Sequence, residues 1–398
     1  MNRILVQKFG GAAVSDIKAI KNVAKIIANS FESQYQILAV VSAMRGVTNS
    51  LIQKFQSISN SYTKNLGREY DLLLSTGEII SASLLSLELK NLGYKTHVVP
   101  CWRIPILTNN NHGNALIKNI KTQFLLSLLD SNIIPIVPGF QGISDQNEIT
   151  TLGKGGSDIT AVALSAALGG KICHFYKDVD GVLSADPRLV KYVKNLHRLD
   201  YISMLALAED GAKILHTRAV LIAMNYNIDL KIFNYNCPQN FKTLISKFKN
   251  NMEAFSIKAI TYDKNILKIN LFTNDANYLF QIFSDNNIFI NYTYNVSSQN
   301  WILFVNLQQL EVINDLLLFL KNEKKISVFT LDSSIAKLSI VGSCLKQDST
   351  LYFKVFHLLD KHEISIYRAE ISDLKLSIFL NDQLVEKASK LLHQSFVE

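Results

Sequence analysis

The stretch ITTLGKGGSDITAVALSAALGG, Ile149–Gly170, decides how the rest of the chain is read. Glycines at 153, 155 and 156 open directly into an apolar, Ala-rich run, which predicts a helix over Ser157–Leu168. Gly-rich backbone lets peptide amides approach an anion closely, and a helix start adds the positive end of its dipole. Ser157 and Asp158 sit in that first turn, where Asp158 can order nearby lysines. Lys154, inside the glycines, admits three readings: a phosphate hook, a carboxylate clamp, or only a charge on a turn.

Outward from this helix, strands and helices alternate. Ile133–Val137 and Ile172–Tyr176 read as strands on either side of it. Ile4–Phe9 is a short apolar strand ending in Gly10-Gly11, and Tyr35–Ala43 (YQILAVVSA) is a buried strand. Asp16–Phe31 spaces Ile17, Ile20, Val23 and Ile27 as an amphipathic helix, and Glu69–Leu92 reads as one helix or two. This alternation implies an α/β domain with a mainly parallel sheet and a site at the strand C-termini.

The tail differs. Sixteen of the 17 glycines lie at or before Gly211, and all six prolines at or before Pro238, so the sharp turns concentrate in the first part. Beyond, the chain repeats itself at roughly 70 residues. LKINLF (Leu267–Phe272) is echoed by AKLSIV (Ala336–Val341), and LFQIFSDNNIFI (Leu279–Ile290) by YFKVFHLLDKHEISI (Tyr352–Ile366). Each unit reads βαββαβ, a ferredoxin-like module able to pair edges and dimerise. The expected domains are 1–245, 255–332 and 333–398.

Composition narrows the function. With 398 residues, 48% of them hydrophobic, the chain can bury a full core. Its net charge of +8 is spread over scattered lysines with no basic block interleaved with aromatics, which argues against a nucleic-acid partner. Cys101, Cys173, Cys237 and Cys344 lie far apart without zinc or disulfide spacing, which fits a reducing cytoplasm. The N-terminal apolar run is too short for a signal peptide, and no segment reads as a membrane span of ~20 continuous apolar residues. No metal motif of the H-E-x-x-H kind is present.

Several turns carry groups suited to anions. VQKFGG places Lys8 at a strand end just before Gly10 and Gly11, outside both named nucleotide motifs. VVSAMRGVTNSL supplies Ser42 and Thr48; LLLSTGEII supplies Glu78 at the start of a helix. Helix capping explains Thr48 and its neighbours equally well. YKDVDGVLSADPRLV follows a strand and holds Lys177, Asp178, Asp180, Asp186 and Arg188 around Gly181, either as a structural acidic turn or as a holder of ribose or Mg2+. GAKILHTRAV adds Lys213.

Taken in order, these blocks resemble the aspartate kinases of the amino-acid-kinase family, over nearly the whole chain. KFGGAA resembles the family's K-F-G-G-T-S; SAMRGVTN, STGE and the GFQG of Gly139–Gly142 match its blocks directly. TTLGKGGSD resembles T-T-L-G-R-G-G-S-D, KDVDGVLSADPR resembles T-D-V-D-G-V-Y-[TS]-x-D-P-R, and GAKILHTRA resembles G-A-K-V-L-H-P-R-A. The tail's modules resemble the paired ACT domains of that family.

The resemblance implies an amino-acid-kinase-type three-layer sandwich followed by two ACT modules. It implies transfer of the ATP γ-phosphoryl group to the β-carboxylate of L-aspartate, with Mg2+ on the phosphates. Lys8 and Asp158 would be catalytic. Ser42, Thr48, Glu78, Lys154, Gly155, Gly156 and Ser157 would hold aspartate. Lys8, Gly10, Gly11, Ser157, Lys177, Asp178, Asp186, Arg188 and Lys213 would hold ATP. A cytoplasmic homo-oligomer, joined through the ACT modules, would need no nucleic acid or membrane.

Departures from the family pattern stand beside it. Ala12-Ala13 replace Thr-Ser, Lys154 replaces Arg, Lys177 replaces Thr, Leu183 replaces Tyr, and Thr217 replaces Pro. The effector loops of both modules lack the usual Gly and Pro, so feedback by lysine or threonine is expected to be weakened or lost. Two alternatives follow: a catalytically impaired relative that binds amino acids or a partner kinase, and a kinase for another carboxylate such as N-acetylglutamate.

Overall fold

Ile4–Phe9 forms strand β1, and five of its six residues are buried, as a parallel strand covered on both faces requires. In the computed structural model, residues 4–33, 35–58, 66–212, 214–248, 256–286 and 288–397 are described. They form two units: one from Met1–Leu183 and Asn195–Asn250, the other from Ser184–Lys194 and Asn251–Glu398.

In the first unit β1 is followed by α1 (Ile17–Glu32), β2 (Gln36–Val41), α2 (Val47–Ile58), α3 (Gly67–Asn91), β3 (Thr96–Val98), β4 (Ile106–Thr108) and β5 (Ile117–Ile120). Then come α4 (Gln123–Asp130), β6 (Ile134–Pro138), β7 (Gln141–Ile143), β8 (Ile149–Thr151), α5 (Gly156–Ala167) and β9 (Ile172–Lys177). β10 (Arg198–Asp200), α6 (Tyr201–Glu209), α7 (Thr217–Tyr226), β11 (Asp229–Asn234) and β12 (Thr243–Ser246) complete it. The eight-stranded sheet runs β10-β12-β11-β9-β1-β2-β6-β3, parallel from β11 to β3, with β12 antiparallel to β11. A smaller sheet, β5-β4-β7-β8, stands beside it.

Alternation along β1 sorts the two faces. Leu5 and Phe9 pack with Ile20, Ile27, Leu85 and Leu89 of α1 and α3, while Lys8 meets α5 on the other face. Helices thus cover both faces, and the unit is a three-layer α/β sandwich. α1 starts where the Asp16 carboxylate accepts the Ala19 amide at 2.9 Å, which satisfies one of the helix's orphan donors. α3 is long and apolar enough to cross a membrane by length and composition alone. It carries the buried carboxylates Asp71 and Glu78 and packs Ala82, Leu85 and Leu89 into the core, as a soluble core helix does. It also runs unbroken, so Glu78 sits in mid-helix and not at the helix start the sequence suggested. Ser75 and Thr76 bond the carbonyls of Leu72 and Leu73 and cap nothing.

The second unit contains β13 (Ser256–Thr273), α8 (Ala276–Asp285), β14 (Ile290–Asn295), β15 (Asn300–Asn306), α9 (Leu310–Asn322), β16 (Ile326–Ser343), α10 (Ser349–Lys361), β17 (Ile366–Ile371), β18 (Lys375–Asn381) and α11 (Val385–Phe396). The repeat is visible as two ferredoxin-like modules sharing one antiparallel sheet, β14-β15-β13-β16-β18-β17. The later half of β13 pairs with β15 and with the start of β16; its first half pairs with the end of β16. The second module therefore takes in the first half of β13 from the segment before it, and β16 runs unbroken through the expected boundary at 332/333. The sheet curls: Phe304 of β15 and Phe379 of β18, non-neighbours in strand order, have ring centroids 4.6 Å apart.

Ser184–Lys194 departs from the expected domain 1–245. The Ile260 amide donates to the Ser184 carbonyl at 2.8 Å, the Tyr262 hydroxyl to Asp186 at 3.0 Å, and Leu189 packs on the cluster of Leu338, Leu351 and Leu376. Burial of Leu189 and Val190 outweighs sequence adjacency here.

Candidate active site

The parallel register puts chemistry on one edge. Lys8 is level with Val40 of β2 and Phe175 of β9, so Lys8, Ser42 and Lys177 reach the same C-terminal rim. Asp158, in the first turn of α5, meets both lysines: Lys8 Nζ at 2.5 Å on one oxygen, Lys177 Nζ at 2.9 Å on the other. Lys8 and Asp158 are 4% and 5% exposed, so the cluster is screened little by water. Burial pushes the Asp158 carboxyl up, but Lys177 and Lys8 outweigh it and hold it at about 2. Burial pulls the Lys8 ammonium down to about 8, opposed by Asp158 and assisted by Lys177. Two ammonium groups against one carboxylate leave an excess positive charge beside a helix N-terminus, a setting that favours an anion.

The glycine turns fit closely around this centre. A Cβ on Gly11 would stand 2.8 Å from the Ala43 carbonyl oxygen, and one on Gly10 would stand 3.7 Å from Lys8 Nζ. A Cβ on Gly139 would stand 2.7 Å from that of Ser157, so the GFQG turn presses on the start of α5. Next to it Phe140 has φ 72°, a strained value for a non-glycine residue, and its amide donates to Thr160 Oγ1 at 3.1 Å.

Glu78 Oε1 accepts the Ala43 amide at 3.0 Å, while its other oxygen is buried without a hydrogen-bond partner. Burial raises its carboxyl to about 7, against the pull of the Ala43 amide and Lys8. Thr48 lies in the first turn of α2, half-buried. Lys154 is exposed between Gly153 (φ 78°) and Gly155 (φ 73°); a Cβ on Gly155 would lie 2.6 Å from His216. Gly156 and Ser157, both buried, open α5.

Four further residues are expected on the nucleotide side. Asp178 is exposed and pairs with Arg45 Nη2 at 3.3 Å. Asp186 and Arg188 belong to the second unit, where Arg188 Nη2 binds Asp186 at 2.7 Å. Lys213 lies outside the described residues.

Three residues escaped the sequence reading. Arg45 pairs with Asp178. Arg218 donates to the Leu152 and Ala115 carbonyls, both at 2.7 Å. Asp71 is wholly buried under Thr151. Arg45 and Arg218 stood inside recognised blocks; Asp71 had no local signal. Among the described residues no group of three or more His, Cys, Asp or Glu is arranged to hold a metal ion.

The profile of the amino acid kinase family matches residues 3–234. An aspartokinase of Rickettsia felis is 38% identical over 396 residues, covering 99% of both chains. One of Geobacillus stearothermophilus is 34% identical, covering 99% of this chain and 97% of its own. The crystal structure of E. coli aspartokinase III in complex with aspartate and ADP shares the fold with a TM-score of 0.82, at 23% identity over 99% of this chain and all of the other. A family profile over most of the first unit and end-to-end relatives at these identities make the chain a member of the amino acid kinase family, among its aspartokinases.

Proposed function

We propose that the chain transfers the γ-phosphoryl group of ATP to the β-carboxylate of L-aspartate, giving 4-phospho-L-aspartate, the first step toward lysine, threonine and methionine. The observation that carries this reading is the buried Lys8–Asp158–Lys177 cluster beside the glycine turns. An ionised carboxylate is already a nucleophile, so the protein needs no general base; its work is positioning and charge neutralisation. Lys8 neutralises the transferring phosphoryl group, and Asp158 holds Lys8 and Lys177 in place. Gly10 and Gly11 offer amides to the phosphates, with Lys177 and Asp178 on the nucleotide side. Lys213 is kept in that role by its motif alone. Asp186 and Arg188 already satisfy each other, which weakens their claim to nucleotide. Ser42, Thr48, Glu78, Lys154, Gly155, Gly156 and Ser157 hold aspartate; the unpartnered Glu78 oxygen suits its α-ammonium. Mg2+ enters with ATP, on its phosphate oxygens.

The intact cluster disfavours an impaired relative, and no observation favours a different acceptor acid. The second unit acts as an ACT-type scaffold joining a homo-oligomer. Weakened lysine or threonine feedback rests on the effector loops' lack of the usual Gly and Pro, since side chains there keep the backbone from approaching an amino acid closely. Four free thiols support a cytoplasmic setting.

The test is a hydroxylamine-trapping assay with ATP, Mg2+ and aspartate. Glu78 can hold an ammonium only as carboxylate, and Lys8 neutralises phosphate only as ammonium. Aspartate kcat/KM should therefore rise through pH 7 and fall above pH 8. Lys8→Ala should cost about 10²–10³-fold in kcat, and millimolar lysine or threonine should inhibit little. No aspartyl hydroxamate at saturating aspartate overturns the proposal.

A further inference from the structure

Lys154 is a flexible side chain on a turn, yet the backbone around it is fastened from several sides. Asp71 lies on α3 seven residues before Glu78, about 10.5 Å along the helix. It is 0% exposed. Its Oδ1 accepts the Thr151 hydroxyl at 2.6 Å and the Gly113 amide at 3.0 Å. Its Oδ2 accepts the Thr151 amide at 3.0 Å and lies 2.8 Å from His112 Nδ1. A carboxylate offers about four acceptor sites, and here all are used. Burial raises the Asp71 carboxyl, and the Thr151, Gly113 and His112 bonds pull it back toward ionisation.

These bonds join α3 to two segments distant in sequence, the 112–114 loop and the end of β8, three residues ahead of Lys154. Arg218 closes the assembly from α7. Its Nη1 donates to the Leu152 carbonyl at 2.7 Å and to Asn114 Oδ1 at 3.1 Å; its Nη2 donates to the Ala115 carbonyl at 2.7 Å. The Ala115 amide donates to the Thr151 carbonyl at 2.8 Å, and the Leu152 amide to the Phe140 carbonyl at 2.8 Å. Beyond Lys154, His216 covers Gly155. The chain is thus held on both sides of Lys154.

We infer that Asp71 is a positioning residue for the acceptor substrate: it locks the Thr151–Gly156 turn to α3, so that Lys154 meets the acceptor's carboxylate from a fixed base. This rests on the aspartate reading above. α3 then sets two sides of the acceptor site, through Asp71 on the Lys154 turn and through Glu78 on the Ala43 amide. A loose turn would weaken acceptor binding and leave the nucleotide side untouched.

Asp71→Asn keeps the shape but puts an NH2 group where an N–H donor points. Thr151→Val deletes only the 2.6 Å hydroxyl bond, and Thr151→Ser keeps it. Asp71→Asn should raise the aspartate KM about tenfold and Thr151→Val about threefold, with ATP KM and kcat within about twofold. Thr151→Ser should restore the wild-type value. Amide hydrogen exchange at Gly113 and Thr151–Gly156 should speed up in both Asp71→Asn and Thr151→Val, with β9 unchanged. If Asp71→Asn does not fold, Thr151→Val carries the test. An unchanged aspartate KM in Thr151→Val, or equal rises in both KM values, overturns the inference. If the wild-type chain makes no aspartyl phosphate, the functional reading falls, and unchanged exchange in Thr151→Val then overturns the lock separately.

Discussion

Lys154 is where this chain parts most plainly from its family's pattern. Its backbone is fastened and its side chain exposed, so exchanging it for arginine changes the proposed acceptor contact and little else. Arginine presents a planar fork to a carboxylate, lysine a point charge. Lys154→Arg should tighten aspartate binding by about 1–2 kcal/mol, the worth of one charge-assisted hydrogen bond. Steady-state kinetics should show a lower aspartate KM at constant ATP KM; a KM that stays or rises removes Lys154 from the acceptor site. Lys177 is a second departure. It puts another ammonium on Asp158, in keeping with extra charge beside the proposed phosphate side. Lys8, Ser157 and Asp158 were legible because their neighbours are glycines and a helix start. Asp71 was not, because its four partners come from segments that no local pattern links to it.

Among the elements, β13 and β16 show how a single glycine permits a pairing. Gly342 is the one glycine after Gly211, and a Cβ there would fall on the Ser256 carbonyl oxygen. The close approach lets the first half of β13 lie against the end of β16, where Ser256 pairs with Ser343 and Ile257 with Gly342. Gly342→Ala should force these strands apart and cost about 1–3 kcal/mol, as overpacking of a filled site does. Thermal unfolding of the second unit should shift down; an unchanged midpoint would show that the strand ends yield freely. The tail's period predicted two modules in series because repeats report local structure. The sharing of two long strands between them depends on register over 18 residues, to which the period is blind.

On the scale of the molecule, the notable feature is the membership of Ser184–Lys194. The chain leaves the first unit after Leu183, adds a loop to the second, and returns at Asn195. Ser184 bonds His393 at 2.8 Å and Lys194 Nζ bonds the Val397 carbonyl at 2.8 Å, so the loop is fastened to the far end of the chain. A fragment ending at residue 248 keeps all eight strands of the larger sheet but strips the cover from Leu189 and removes the Tyr262 hydroxyl from Asp186. It should aggregate or unfold at a lower temperature than the full chain. A soluble fragment with full-chain stability, measured by thermal unfolding and sedimentation, would show that the loop needs no cover from the second unit.

The sequence by itself determined the alternation of strands and helices, the glycine turns at the sheet's C-terminal rim, and the repeat of the tail. Each of these is a short-range pattern of side-chain period or backbone freedom, and it is written in consecutive residues. Only the tertiary structure decided that Asp158 joins Lys8 to Lys177, that Asp71 fastens the Lys154 turn, and that Asp186 and Arg188 leave with the second unit. Those outcomes depend on which distant groups lose water together, and desolvation is a property of the packed chain rather than of any stretch of it.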